Sequence, residues 1–312
     1  MNYNITTFKQ LYEACNAENQ TIHETALDYE ASQGENSEYK VRMQAKKSLD
    51  AMKDAIKVGL TSTEKSPSGL SGDDCDKLQK SKAGSLLGKT AYKMMTYALA
   101  TSEQNLRMGT IVACPTAGSC GIVPAVLVAY AEDNNIKEGE QINALITAGE
   151  VGRLVSNKMA LAGAVGGCQA ECGVASAMAA AALTQMRGGN VSQIINSVAL
   201  ALKNILGLTC DPVCGLVEIP CVKRNPFLAI HAVTASDLAM ADITSVIPID
   251  EIVDAMEQTG QLMSPLLKES SQGGLAKTKT AVMLEKKILG KWIGEQPIAD
   301  ATTSKLFLSR AN

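Results

Sequence analysis

The chain has 312 residues, enough for one large domain or two ordinary ones with a sizeable buried core. Hydrophobic residues make up 46% and charged residues 20%, a globular balance that excludes a disordered chain. Lys and Arg total 29 against 32 Asp and Glu, a net charge of −3 with no basic face; this excludes nucleic acid or an anionic membrane as the main partner.

Taken in chain order, the N-terminal residues 1–10 show no basic stretch followed by an apolar run. No secretory signal is expected, and the location expected is cytoplasmic. Aromatic residues supply only 4%, so the core must be built from Ala, Leu, Ile, Val and Met, which favour closely packed helices over sheets. Thr7 is placed to cap a short helix carrying Phe8, Leu11, Tyr12 and Cys15. Between residues 38 and 60, Val41, Ala45, Leu49, Met52, Ile56 and Leu60 recur every three or four positions, one buried stripe of a helix. Residues 61–74 are dense in Ser, Thr, Gly and Pro and read as a loop, the best internal boundary within a helical domain over 1–296. Residues 297–312 are expected to form a C-terminal tail.

Helical patterns then follow over 86–100, 122–131, 142–164, 174–186 and 191–206, with Gly-rich joints between them. Ser192 would cap the last, and Gly207 would end it in a left-handed conformation. The longest apolar stretches, 122–131 and 174–183, are too short to span a bilayer. Few segments alternate with period two, and no strand–Gly-rich-turn–helix unit of the dinucleotide type occurs. The expected fold class is mainly α.

Nine cysteines are present, and seven fall between Cys114 and Cys221. An odd count in a chain without a visible leader argues for reduced thiols, as core residues or metal ligands, rather than a disulfide framework. Cys210, Cys214 and Cys221 lie in a stretch with two prolines and a glycine, hence a loop able to wrap an inorganic centre. Thiolates are the soft donors that zinc and iron–sulfur clusters select. Two metal readings compete on spacing alone. Cys168, Cys172, Cys210 and Cys214 form two C-x-x-x-C pairs that would make a closed zinc site, stapling a non-catalytic helical scaffold. Cys168, Cys210 and Cys221 would instead hold a cluster with one iron left open. Packing as small hydrophobes is the third possibility.

Upstream, Thr116, Gly118 and Ser119 precede an apolar helix in which Pro124 is tolerated only within the first turn. Hydroxyls and amides at a helix start suit a carboxylate or a phosphate, although this stretch alone favours an ordinary capped start. Ser270-Ser271-Gln272-Gly273-Gly274-Leu275-Ala276 would either approach a ligand or turn the chain. The two histidines are His23 and His231, and His231 sits in an apolar helical pattern that suits packing better than catalysis. Lys158 and Lys223-Arg224 lie near cysteines in sequence and would pair with a substrate carboxylate or balance a cluster's charge.

Five segments in order carry a resemblance: residues 108–127, Gly166-Gly167-Cys168-Gln169-Ala170-Glu171-Cys172-Gly173, Leu208-Thr209-Cys210-Asp211-Pro212-Val213, Ile219-Pro220-Cys221-Val222-Lys223-Arg224-Asn225 and Gly273-Gly274-Leu275-Ala276. Together they resemble the iron–sulfur-dependent L-serine dehydratase family, in the α chain of its two-subunit form. The match runs from the Ser68-Gly69-Leu70-Ser71-Gly72-Asp73 region to Ala276, and more loosely to both ends.

The resemblance implies a multi-helix catalytic domain around a 4Fe-4S cluster held by loop cysteines. It implies conversion of L-serine to pyruvate and ammonia, with an open iron as Lewis acid. L-Threonine and L-cysteine are the alternative substrates. Cys168, Cys210 and Cys221 map onto the cluster ligands, and Cys172 and Cys214 fall where relatives carry non-thiol residues. Thr116, Gly118 and Ser119 would hold the substrate carboxylate. Arg224 and Asp211 would orient or charge-balance the ligands, with Arg224 also facing substrate. Lys158 and Asp211 are the candidates for the catalytic base, and a residue of a separate β chain is at least as well suited. A pyridoxal-phosphate dehydratase would need a Schiff-base lysine and a phosphate cup on alternating strands and helices, for which no pattern is seen.

Overall fold

A computed structural model describes residues 4–33 and 37–294, so the 297–312 tail falls outside the described residues. The helices in chain order are α1 (Phe8–Glu18), α2 (Ile22–Ser32), α3 (Glu38–Thr61), α4 (Asp74–Lys80), α5 (Gly88–Leu106), α6 (Ile122–Asp133) and α7 (Glu138–Ser156). They continue with α8 (Gly163–Gly166), α9 (Val174–Met186), α10 (Val191–Lys203), α11 (Cys221–Met240), α12 (Ile249–Leu262) and α13 (Lys279–Gly294). There is no β-strand among the described residues, and one isolated bridge pairs Cys210 with Lys268. The fold is mainly α, as the composition requires. No described helix is long and apolar enough to cross a membrane.

At the centre stands α9. Its alanines Ala175, Ala177 and Ala179 to Ala182 are all fully buried, and α6, α7, α10 and α11 pack around it. A helix apolar on every side has no face to give to water and must be enclosed. Alanine adds no side chain beyond the methyl, so four neighbours can close on it. The polar groups it does bury are satisfied, with Ser176 donating to the Leu228 carbonyl at 2.9 Å and Thr184 to Ser236 Oγ at 2.9 Å. Elsewhere Gly59 of α3 lies directly against the Ala100 backbone of α5, a crossing closer than any Cβ would allow.

The local signals hold where they act over a few residues. Thr7 caps α1 through a reciprocal pair with Gln10. Pro124 sits in the first turn of α6, and Gly207 adopts φ 85° after α10. Asn190 caps α10 in place of Ser192, because its side chain accepts from Gln193 N at 2.9 Å and Gln193 returns the bond. The pattern over 142–164 is not one helix. It ends at Ser156, and the chain turns before α8, where Gly163 comes against Cys210. A straight helix would have carried Gly163 past that thiol.

The 61–74 loop has no regular structure between α3 and α4, yet it is fastened along its length. Arg107 donates to the carbonyls of Ser62, Glu64 and Gly72. Buried Glu218 accepts from Ser66 Oγ and Ser68 Oγ, each at 2.5 Å. Glu103 accepts from Asp74 N at 2.7 Å.

Candidate active site

Cys168, Cys210 and Cys221 come from three segments: the turn before α9, the loop after α10, and the first residue of α11. All three are buried, and no cysteine of the chain is in a disulfide. The local folding that gathers them is specific. Gly167 takes φ 77°, and residues 169–173 widen into a π turn that sets Cys168 beside Cys172. Gln169, fully buried, then ties this turn outward. Its amide donates to the Leu208 carbonyl at 3.0 Å, its side chain accepts from Gly207 N at 2.9 Å, and it donates to the Met256 carbonyl at 2.9 Å. The loop leading into Cys210 is thus held against Cys168. Cys210 itself donates from N to the Leu267 carbonyl at 2.8 Å and accepts from Glu269 N at 2.6 Å.

The charged residues around the thiols form a clamp. Arg224 donates to the Thr209 carbonyl at 2.8 Å and to Asp211 Oδ1 at 2.9 Å, and its charge also favours a Cys168 thiolate. Asp211 accepts further from Leu275 N at 2.8 Å. Gly274, at φ 58°, lies so close that a Cβ there would overlap the Asp211 carboxylate. The Gly273–Ala276 segment therefore turns the chain onto Asp211. Asp211 and Arg224 position the Cys210 loop, and both are already occupied.

Electrostatics separate the thiols. A hydrogen bond from Cys172, helped by Arg224, holds Cys168 below the ordinary thiol range against the cost of burial. That same hydrogen bond, with burial, pushes Cys172 well above it. Burial, and then negative charge at Cys168 and Glu171, push Cys210 up and Cys221 to about 12. Cys210 and Cys221 both sense negative charge at Cys168, so a cation among these three soft donors would offset the desolvation that keeps two of them neutral. Cys214 stands apart, half-buried at φ 60°, with Glu285 and Glu218 as its charged neighbours. Among the described residues, Cys168, Glu171 and Cys172 are the one group whose ligand atoms lie within 4.8 Å of one another, so neither the four-thiolate set with Cys214 nor the set of Cys168, Cys210 and Cys221 closes to that distance.

Beside the thiols lies the turn 114–119. Ser119 is fully buried; its hydroxyl donates to the carbonyls of Cys114 at 3.2 Å and Thr116 at 3.3 Å, closing the turn. Thr116 Oγ1 donates to Glu171, and Gly118 lies against that same carboxylate. Asn225, fully buried one turn into α11, locks this turn to the Cys221 helix. It accepts from Gly121 N at 2.9 Å and donates to the carbonyls of Gly118 and Cys221, each at 2.9 Å. Lys158 is elsewhere, in a half-exposed ion pair with Asp254 at 3.2 Å. His231 donates to or accepts from nothing near the thiols; its Nε2 pairs with the Ala201 carbonyl at 2.8 Å and joins α11 to α10.

Sequence reasoning gave no role to Glu171, Asn225 or Glu218. Glu171 had a signal, a carboxylate standing between two cysteines. Asn225 and Glu218 had only adjacency to Cys221. Burial of Glu171 pushes its carboxyl above the ordinary range, opposed by the Thr116 hydrogen bond.

The family described as serine dehydratase alpha chain matches residues 17–276. The chain is 44% identical over 295 residues to the probable L-serine dehydratase, alpha chain, of Bacillus subtilis, covering 94% of this chain and 98% of that one. It is 38% identical over 289 residues to the L-serine dehydratase, alpha chain, of Peptoniphilus asaccharolyticus, covering 91% and 98%. Against the L-serine dehydratase TdcG of Escherichia coli the match is 42% over 182 residues, 58% of this chain but 40% of that longer one. This chain belongs to the serine dehydratase alpha chain family.

Proposed function

We propose that this chain, with a separate β chain, converts L-serine to pyruvate and ammonia by β-elimination of water. Relatives called alpha chain imply such a partner, and the longer single-chain relative would carry both parts in one polypeptide. The observation that carries the reading is the burial of Cys168, Cys210 and Cys221 within electrostatic reach of one another, with Arg224 and Asp211 bracing the loop that carries Cys210.

Cys168, Cys210 and Cys221 would hold a 4Fe-4S cluster. When bound, it supplies a Lewis-acidic iron toward the serine hydroxyl, which is otherwise a poor leaving group. Thr116 and Gly118 border the place where the substrate carboxylate is received, and Ser119 keeps their turn in shape. Arg224 sets the electrostatic balance at Cys168 and keeps the Cys210 loop in place. Asp211 is engaged by Arg224 and Leu275, and Lys158 by Asp254, so removal of the α proton falls to a group the β chain brings. Cys172, buried against Cys168, tunes that ligand through its hydrogen bond. L-Threonine adds one methyl, for which a pocket discriminates only modestly, and remains the alternative substrate together with L-cysteine. A cytoplasmic location and a part in amino-acid degradation belong to the same proposal, and free thiols are compatible with them.

The test is anaerobic co-expression with the β chain, followed by iron, sulfide and pyruvate assays. A brown, oxygen-labile complex that loses its iron and colour on Cys168→Ala, Cys210→Ala or Cys221→Ala, but keeps them on Cys172→Ala and Cys214→Ala, is expected. A colourless preparation with full activity, or one zinc and no iron, would end the reading.

A further inference from the structure

L-Serine presents its ammonium one carbon away from its carboxylate, so a site for it needs an anionic group next to its carboxylate-binding elements. Glu171 stands in that position. One of its oxygens accepts from the Thr116 hydroxyl and lies against Gly118. A Cβ built on Gly163 would sit 3.0 Å from the other oxygen and 2.9 Å from the Cys210 sulfur. The carboxylate therefore lies between the hydroxyl-bearing turn and the Cys210 thiol.

Its surroundings lack a cation to match it. Glu171 is 9% exposed and forms no ion pair among the described residues. Arg224, the cation nearest in effect, is spent on Asp211 and on the Thr209 carbonyl. A buried carboxylate with a hydroxyl partner and no counter-charge is costly unless something else supplies the charge. It also makes the neighbouring turn a poor host for a plain hydroxy acid, whose carboxylate it would repel. A zwitterion answers both, because its ammonium supplies the missing counter-charge and offsets the repulsion of its carboxylate.

We infer that Glu171 receives the α-ammonium of the substrate and so selects amino acids over hydroxy acids at this site. The inference rests on the proposed dehydratase reading and adds the residue that recognises the amino group. It carries no preference among serine, threonine and cysteine, which share that group.

The experiment uses the α–β holoenzyme with Glu171→Gln and Glu171→Asp. It compares binding of L-serine with binding of 3-hydroxypropanoate, which is serine without its ammonium. Binding is followed by calorimetry and by competitive inhibition, with iron content and the visible spectrum as checks on the fold and the ligand loop. Glu171→Gln is expected to weaken L-serine by roughly 10- to 100-fold, the loss of one charged hydrogen-bonding partner. 3-Hydroxypropanoate should bind as well as before or better, iron should be unchanged, and Glu171→Asp should restore part of the serine affinity. Equal weakening of both ligands, or loss of iron, would overturn the inference. A fall in kcat with serine binding intact would make Glu171 the proton acceptor and overturn it too. A wild-type complex that forms no pyruvate from L-serine fails the underlying reading, whereas an active wild type with unchanged selectivity in Glu171→Gln fails this inference alone.

Discussion

Asn225 donates to the carbonyl of Gly118 at 2.9 Å, and through this one bond the helix begun by Cys221 fixes the turn that carries Thr116. The same side chain accepts from Gly121 N and donates to the Cys221 carbonyl, so three backbone groups depend on it. The 114–119 turn and the start of α11 are thereby set together.

Replacing Asn225 separates them. Asn225→Ala leaves buried backbone groups without a partner, at a cost of about 1–3 kcal/mol, and is expected to raise KM for L-serine. Asn225→Asp should be worse than Asn225→Ala, because a carboxylate would face two carbonyl oxygens inside the protein. Urea unfolding of the three proteins checks the ranking, and an Asp variant as stable as the wild type would contradict it.

Arg224→Ala strands Asp211, whose side chain is only 6% exposed. Removing one partner of a buried ion pair typically costs about 3–5 kcal/mol. Arg224→Lys should recover only part of this, since one ammonium cannot serve both the Thr209 carbonyl and Asp211 as the guanidinium does. Iron content of the anaerobically isolated complex is expected to fall in the same order.

Gly274 offers a controlled comparison with Gly69. Both have positive φ, 58° and 79°, but nothing lies within 4 Å of a Cβ built on Gly69, whereas one on Gly274 meets Asp211. Gly69→Ala should cost only the backbone strain. Gly274→Ala should add an overpacking cost of about 1–3 kcal/mol and loosen the Cys210 loop. Thermal melts of the two variants give the difference directly; equal losses would remove the Asp211 contact from the explanation.

His23 predicts a pH dependence remote from the thiols. Burial, with Arg42 beside it, holds the imidazole below its ordinary 6.5, against the pull of Glu24 and Glu140. The folded state therefore binds fewer protons than the unfolded one. This contribution to stability is present above 6.5 and lost as pH falls through the lowered folded value. Melting temperature recorded between about pH 5 and 8 should decline on the acid side, and His23→Gln should flatten that decline. Thr21 Oγ1 at 2.9 Å and Gln185 Nε2 at 3.4 Å are the uncharged groups facing the ring.

Some of this was legible before any tertiary structure. Scarce aromatics and abundant alanine dictated helices, and Thr7, Pro124 and Gly207 marked boundaries, because capping and backbone preference act over a few residues. The five ordered segments pointed to the family to which the chain belongs. The break after Ser156 was missed, since the apolar period continues through it and only the approach of Gly163 to Cys210 demands the turn.

What the sequence by itself determined was the helical class, the family and the set of residues available for the chemistry. Which of them meet was decided by tertiary packing. Cys172 joins Cys168 through a π turn while Cys214 stays apart; Lys158 goes to Asp254, and Arg224 to Asp211. Glu171 gains its place only because Thr116, 55 residues earlier, folds against it. Periodicity and capping are set by near neighbours along the chain, whereas burial, charge pairing and a shared pocket depend on residues far apart in sequence. Those partners are chosen when the helices close around the alanines of α9.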